Sequence, residues 1–133
     1  MKKILFTLAL LISYSSLGQT AEDYIDRAES KYDAGDFYGA IADYTKVIEL
    51  EPSESSEMYL EIGIIKAELN DQYGAIADFS KAIELDPNYA DAFLLRGLSK
   101  NELGDMRGRC SDFIKASKLG NKYATDLHSK LCK

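Results

Sequence analysis

Two cysteines and one histidine late in the sequence are the residues best able to form a covalent or metal site. Cys110 precedes Asn121 by 11 residues and Cys132 follows it by 11, and the chain is expected to turn at Gly120-Asn121. In an antiparallel helical hairpin this spacing places the cysteines level, and an oxidising compartment would join them. The sequence therefore predicts a Cys110–Cys132 disulfide. Two alternatives stay open: free buried thiols, or a Cys-His-Cys metal site that adds His128.

No catalytic arrangement is visible elsewhere in the sequence. His128 is the only histidine, so sites built on two histidines are excluded. No serine lies in a nucleophile-elbow or phosphate-loop pattern. Paired carboxylates such as Glu57 and Glu61 are more often a solvated helix face than an acid–base pair. We therefore predict a protein that is not an enzyme and has no cofactor.

A repeated segment indicates the elements that must position these residues. Residues 38–44 (YGAIADY) return 35 positions later as residues 73–79 (YGAIADF), and Pro52 and Pro87 share that offset. A fixed period of this length is typical of stacked supersecondary units, which present an extended surface. The sequence therefore favours a binding surface over a catalytic centre.

Three units of 34 residues fit this period, over residues 21–54, 56–89 and 90–123, with Ser55 inserted. Each unit divides into two amphipathic helices at a turn, where Gly or Asn ends the first helix and the following Asp caps the second. The three turns are Ala34-Gly35-Asp36, Leu69-Asn70-Asp71 and Leu103-Gly104-Asp105.

The starts and the end of the stack carry further signals. Thr20 with Asp23, and Asn88 with Asp91, have the spacing of N-terminal capping pairs. After the third unit, apolar residues recur at helical spacing, which predicts a closing helix over residues 121–132 that covers the open end. A partner-binding helix is the alternative for this segment. The apolar stripe consists of Tyr123, Leu127 and Leu131.

The units resemble the tetratricopeptide repeat family, whose pattern has an aromatic, a small residue, Ala, a second aromatic and Pro. The first unit supplies Tyr24, Ala28, Ala40, Tyr44 and Pro52, and the second supplies Tyr59, Gly63, Ala75, Phe79 and Pro87. The third supplies Phe93, Gly97 and Phe113 but has Arg109 and Asn121 in place of Ala and Pro. The resemblance implies an all-α, helix-turn-helix solenoid of three repeats with a C-terminal capping helix.

The resemblance also implies a concave groove lined by the first helix of each unit. These positions form an apolar floor edged with carboxylates, which suits a basic, amphipathic segment of a partner. The alternative is that the carboxylates only keep the helices soluble. The implied groove residues are Ile25, Asp26, Glu29, Tyr32, Asp33, Leu60, Glu61, Ile64, Glu68, Leu94, Leu98, Asn101 and Glu102.

One sub-family can be excluded on the same positions. Members that grip the C-terminal carboxylate of chaperones use Lys, Asn and Arg in the groove. In this sequence the matching positions hold Ile25, Glu29, Glu61, Asp91 and Leu95. A carboxylate ligand would meet negative rather than positive charge there.

The N-terminal segment predicts export. Residues 1–18 combine a basic start, a short apolar run and small residues at Ser16 and Gly18, as in a signal peptide cleaved before Gln19. An uncleaved anchor is the alternative. The remaining chain has 14 basic and 22 acidic residues, which disfavours nucleic acid and anionic membranes as partners. We expect a periplasmic or secreted protein without a stable membrane anchor.

These observations favour an exported protein–protein interaction module or adaptor. A self-associating structural subunit of an envelope assembly is the first alternative. A small metal or redox protein that uses Cys110, His128 and Cys132 is the second.

Overall fold

The computed structural model describes residues 18–133, which form helices joined by short turns. The predicted leader lies outside this part of the chain except for Gly18. Within it, a 3₁₀ turn over Pro52–Glu54 separates the second and third of seven α-helices. These are α1 (Ala21–Asp33), α2 (Phe37–Leu50), α3 (Ser55–Glu68), α4 (Gln72–Leu85), α5 (Ala90–Glu102), α6 (Met106–Lys118) and α7 (Lys122–Leu131).

The helices stack in chain order. The hairpins α1–α2, α3–α4 and α5–α6 form the three units, and α2–α3, α4–α5 and α6–α7 contacts join them. The first helices α3 and α5 also touch. The prediction of an all-α helix-turn-helix solenoid closed by a further helix is therefore confirmed. From residue 18 onward, no helix combines the length and apolar character that crossing a membrane requires.

The turns are fixed by local chemistry, as the sequence predicts. Gly35, Asn70 and Gly104 have φ angles of 79°, 67° and 79°, the left-handed conformation that ends each first helix. The next residues, Asp36, Asp71 and Asp105, accept a hydrogen bond from the backbone N–H three positions on, at 2.9–3.0 Å. Each unit therefore carries its own stop and start signal.

One predicted capping pair is present and the other is wrong. Thr20 and Asp23 form a reciprocal capping box at α1. Asn88 does not cap α5, because its N–H donates to the Asp86 carboxylate at 3.1 Å in the preceding turn, and the helix begins one residue later than a cap at Asn88 requires. Asp91 instead accepts a hydrogen bond from the Asn121 side chain at 2.9 Å, which links α5 to the start of α7.

Glycines at two helix crossings allow close packing within the units. A Cβ atom at Gly63 would lie 2.6 Å from the Phe79 ring, and one at Gly97 would lie 2.7 Å from the Phe113 ring. Phe79 and Phe113 are among the largest fully buried side chains. Only glycine leaves room for these rings at these crossings.

An aspartate in each second helix, buried in α2 and α6 and partly buried in α4, is paired with one or two bases from the first helix, an arrangement that sequence reasoning missed. Asp43 lies 2.6 Å from Arg27 and 2.9 Å from Lys31, and accepts two hydrogen bonds from the Arg27 guanidinium. That hydrogen bonding, with a smaller contribution from Lys31, lowers the pKa of Asp43 to about 2 against the opposing effect of burial.

The ion pairing recurs along the stack. Asp112 lies 2.7 Å from Arg96 and 2.8 Å from Lys100, the residues that correspond to Arg27 and Lys31. Within the described part of the chain, Asp78 forms one ion pair, with Lys66 at 2.6 Å. Ile62 stands where the other units have Arg. The signal was available, because these aspartates recur at offsets of 35 and 34 with a lysine 12 residues before each.

Candidate functional site: two cavities between the first helices

The first cavity lies between α1 and α3 and is named here the N-terminal cavity. It has a volume of about 310 Å³. Its floor is apolar and aromatic, and four carboxylates surround it. The lining residues are Ile25, Glu29, Tyr32, Asp33, Tyr44, Glu57, Met58 and Glu61.

Among residues 18–133, no basic side chain lines the N-terminal cavity, so its carboxylates act on one another. Glu61 is half-buried, and burial, followed by the nearby charges of Glu57 and Glu29, raises its pKa. A cation that entered the cavity would relieve this repulsion. The cavity therefore carries negative charge that no lining residue compensates.

Two tyrosines provide the polar groups of the cavity floor. Tyr44 is buried, and this burial together with Glu61 and Glu29 raises the pKa of its phenol to about 12. The phenol therefore stays neutral at physiological pH. Tyr32 donates a hydrogen bond to the Glu68 carboxylate, which ties α1 to the end of α3 and raises the pKa of Tyr32.

The second cavity lies between α3 and α5 and is named here the central cavity. It has a volume of about 390 Å³ and an apolar floor, with Glu68 and Glu102 at its edge. Since Glu68 also receives the Tyr32 hydrogen bond, it connects the two cavities along the groove. The lining residues are Ile64, Ala67, Glu68, Gln72, Phe79, Leu95, Leu98, Ser99 and Glu102.

Most of the predicted groove residues line these cavities. Five of the thirteen line the N-terminal cavity and four line the central cavity. The first five are Ile25, Glu29, Tyr32, Asp33 and Glu61, and the other four are Ile64, Glu68, Leu98 and Glu102. The structure therefore brings together residues that are up to 77 positions apart in the sequence.

Two predicted groove residues belong to the core. Leu60 is 7% exposed and shares a cluster with Phe79 and Ala92. Leu94 is 9% exposed and packs with Phe113 and Ala124. In each case the next helix in the stack covers the leucine. Ala92 of α5 packs in the cluster of Leu60, and Ala124 of α7 packs in the cluster of Leu94. The prediction that Leu60 and Leu94 line the groove is therefore wrong.

The two remaining predicted residues lie outside both linings. Asp26 is exposed on α1. Asn101 accepts a hydrogen bond from the Arg109 guanidinium instead, so it supports the packing of α6 on α5.

Sequence reasoning also missed lining residues from the second helices. Tyr44 and Phe79 reach the two floors from α2 and α4. Both are signature aromatics of the repeat, and that periodicity was the signal that could have identified them. The other missed residues are Glu57, Met58, Ala67, Gln72, Leu95 and Ser99.

The cysteines lie where their spacing about Asn121 predicts. The Sγ atoms of Cys110 and Cys132 are 2.03 Å apart and the Cα atoms 5.7 Å apart, the arrangement of a disulfide between α6 and the end of α7. Sulfurs joined to each other have no thiolate to offer a metal, so the Cys-His-Cys alternative does not fit. Among residues 18–133, no group of three or more potential ligands could hold a metal ion.

A third concave region lies beside the disulfide, between α6 and α7, with a volume of about 590 Å³. Its lining combines basic and apolar side chains, in contrast to the lining of the N-terminal cavity. It consists of Met106, Arg107, Arg109, Cys110, Ile114, His128, Leu131, Cys132 and Lys133.

Comparison with known proteins supports the fold. A family model described as TPR repeat matches residues 63–104, which span parts of the second and third units. No curated protein matches the chain significantly.

Solved structures match over most of the chain. The second TPR domain of human RPAP3, in complex with the HSP70 peptide SGPTIEEVD, is 28% identical with a TM-score of 0.74, and the match covers 85% of this chain and 95% of that one. The TPR domain of Arabidopsis OM64 is 25% identical with a TM-score of 0.73, covering 84% and 93%. The TPR2B domain of yeast Sti1, in a complex with pHsp70, is 23% identical with a TM-score of 0.74, covering 84% and 94%, a likeness of fold.

The family model over residues 63–104, the matches to solved structures and the stacked hairpins closed by α7 agree that the chain contains tetratricopeptide repeats and has the fold of tetratricopeptide repeat domains.

Proposed function

We propose that the protein is an exported adaptor that binds a basic, amphipathic segment of a partner protein in its concave groove. The observation that carries this proposal is the N-terminal cavity, where Glu29, Asp33, Glu57 and Glu61 surround an apolar and aromatic floor without a basic residue in the lining. Lysine or arginine side chains of a partner would pair with this rim, while apolar side chains on the same segment would fill the floor.

The RPAP3 domain named above is in complex with a peptide that ends in Glu-Glu-Val-Asp. A ligand of that kind disagrees with the charge of this groove. The positions that would form a carboxylate clamp hold Ile25, Glu29 and Glu61 on the N-terminal side. Two acidic groups facing an acidic peptide repel it, so the shared fold serves a ligand of opposite charge here.

A peptide titration tests the proposal. The probe is a fluorescein-labelled amphipathic peptide of leucine and lysine, and the control peptide has every lysine replaced by glutamate. The fluorescence anisotropy of each labelled peptide is measured at low salt as residues 19–133, named here the mature chain, are added. We expect the lysine peptide to bind and the glutamate peptide not to bind.

Matched variants locate the binding. Glu29→Gln with Glu61→Gln should weaken binding of the lysine peptide about tenfold, or about 1.4 kcal/mol. Glu84→Gln, on the exposed face of α4 in an i,i+3 pair with Lys81, should leave it unchanged. Equal binding of both peptides, or equal affinity for all three proteins, would contradict the proposal.

Export is the second part of the proposal. It is supported by the basic start, short apolar run and small residues of residues 1–18. A disulfide also suits an oxidising compartment. N-terminal sequencing of protein from a bacterial periplasmic fraction should begin at Gln19. A product that keeps residues 1–18 and sediments with membranes would contradict it.

A further inference from the structure

Charge is distributed unequally along the stack. Residues 18–61 carry twelve acidic and three basic side chains, whereas residues 106–133 carry two acidic and seven basic ones. The acidic part forms α1, α2 and the start of α3, and the basic part forms α6 and α7. The solenoid therefore has an acidic end and a basic end, although its net charge is negative.

The basic end also exposes apolar surface, and it is named here the end surface: Met106, Arg107, Ile114, Leu131 and Lys133. Met106 is 61% exposed and Leu131 is 41% exposed. Arg107 and Lys133 are exposed and form no ion pair with another residue in the described range 18–133. Uncompensated bases beside apolar groups are the features that the proposed function requires of a groove ligand.

Two contacts make the end surface rigid. The Cys110–Cys132 disulfide fixes the end of α7 against α6. Arg109 adds a hydrogen bond to the Leu131 carbonyl at 2.7 Å. A surface held in one arrangement loses little entropy on binding, which favours association.

We propose that the end surface of one copy of this chain binds the N-terminal cavity of a second copy. Charge complementarity selects this occupant. The cavity is lined by four carboxylates and the end surface carries unpaired bases. The inference rests on the proposed function, because it names the basic, amphipathic partner of the same cavity.

Contact between two different surfaces is a head-to-tail interface. The cavity lies on α1 and α3, while the end surface lies on α6 and α7, at the other end of the stack. One chain therefore leaves both surfaces free for neighbours. Such an interface does not close on itself unless the rotation completes a ring, so it builds chains of several copies.

Sedimentation velocity of the mature chain over a concentration series tests this. At low salt the average mass should rise with concentration beyond that of a dimer, and raised salt should reverse the rise because it screens the charges. A wild type that stays monomeric at low salt across the series would overturn the proposal.

Charge reversal identifies the two surfaces. Arg107→Glu with Lys133→Glu makes both surfaces acidic. Glu29→Lys, Asp33→Lys and Glu57→Lys together leave three bases and one acid in the cavity lining, so that both surfaces are basic. Each variant alone should associate roughly tenfold more weakly than wild type, because like charges then face each other. Mixed in equal amounts, the two variants should recover association, since every contact between one variant and the other joins opposite charges. Loss without recovery on mixing would overturn the head-to-tail arrangement.

Two controls change net charge elsewhere. The first control is Lys118→Glu, at a position about 16 Å along α6 from Arg107. The second is Glu84→Lys, at a position on α4 outside the cavity lining. Both should leave association within about twofold of wild type, a change within the usual effect of surface substitutions. Loss of association in either control equal to that in the charge-reversal variants would overturn the assignment to these surfaces.

The peptide titration separates this inference from the proposed function. If wild type stays monomeric but binds the lysine peptide, the proposed function stands and self-association is overturned. If wild type stays monomeric and its end surface binds the glutamate peptide, that surface serves another protein, and self-association is overturned. Association that the lysine peptide dissolves supports both.

Discussion

Arg109 donates a hydrogen bond from Nη2 to the backbone carbonyl of Leu131 at 2.7 Å. It occupies the position at which the other repeats bury Ala40 and Ala75. A positive charge at the C-terminal end of α7 also interacts favourably with the helix dipole. The departure from the repeat pattern therefore stabilises the closing helix.

The disulfide should contribute most of the stability at this end of the stack. Its cysteines are 22 positions apart, and closing a loop of that size adds about 3 kcal/mol in the chain-entropy model. Cys110→Ser with Cys132→Ser should lower the free energy of unfolding by roughly that amount in chemical denaturation, and reductant should lower wild type equally. Thiol labelling of unreduced protein is the control. Two labels per folded chain would refute the bridge.

Close packing at Gly63 should make it intolerant of a larger side chain. Because a Cβ atom there already lies 2.6 Å from Phe79, Gly63→Leu should cost on the order of 1–3 kcal/mol through overpacking. Glu54→Gln, at an exposed position, should change stability by less than about 0.5 kcal/mol. Thermal melts compare them. Equal midpoints would mean that the helix crossing is not as tight as described.

The Asp43 ion pair should make stability depend on acid pH. The folded state lowers the pKa of Asp43 to about 2, whereas the unfolded value is about 3.9. Its contribution is therefore present above about pH 4 and is lost as pH falls from about 4 to about 2.

Thermal midpoints over this range test the assignment. Asp43→Asn should be less stable than wild type at pH 7, and the two should converge as pH falls towards 2. Glu84→Gln, which alters an exposed carboxylate, should follow wild type. A constant difference between Asp43→Asn and wild type across the range would argue against the ion pair.

Glu61 should show the opposite dependence. Burial and its acidic neighbours raise its pKa in the folded state, so ionisation of Glu61 destabilises the fold. Stability is lost as pH rises from the unfolded pKa through the higher folded pKa. Glu61→Gln should therefore raise the thermal midpoint at pH 7, with the gain disappearing below about pH 4, while it weakens binding of the lysine peptide. A variant that loses both stability and binding would show that Glu61 has a structural role.

Local signals in the sequence were sufficient to predict the helices. Gly35 ends one helix and Asp36 begins the next, both through interactions within a few residues. The repeat period was therefore enough to locate each turn between paired helices. The prediction that Asn88 caps α5 was wrong, because the Asn88 N–H donates to the Asp86 carboxylate in the preceding turn. The repeat pattern does not indicate which of two neighbouring side chains forms such a hydrogen bond.

The groove was only partly predictable because it depends on how units cover one another. Ile25 and Leu60 occupy equivalent positions, yet Ile25 lines a cavity while Leu60 shares a core cluster with Ala92 of the next unit. The burial of Leu60 therefore depends on a contact between units, which the repeat pattern does not contain.

NMR mapping of the lysine peptide onto residues 19–133 locates the binding site directly. Backbone amide shifts are followed through a titration, with the glutamate peptide as the control. We expect the largest shifts on α1 and α3 around Glu29, Glu57 and Glu61, continuing towards Glu68. Shifts that avoid these residues and gather on α2, α4 or α6, or equal shifts with both peptides, would contradict it.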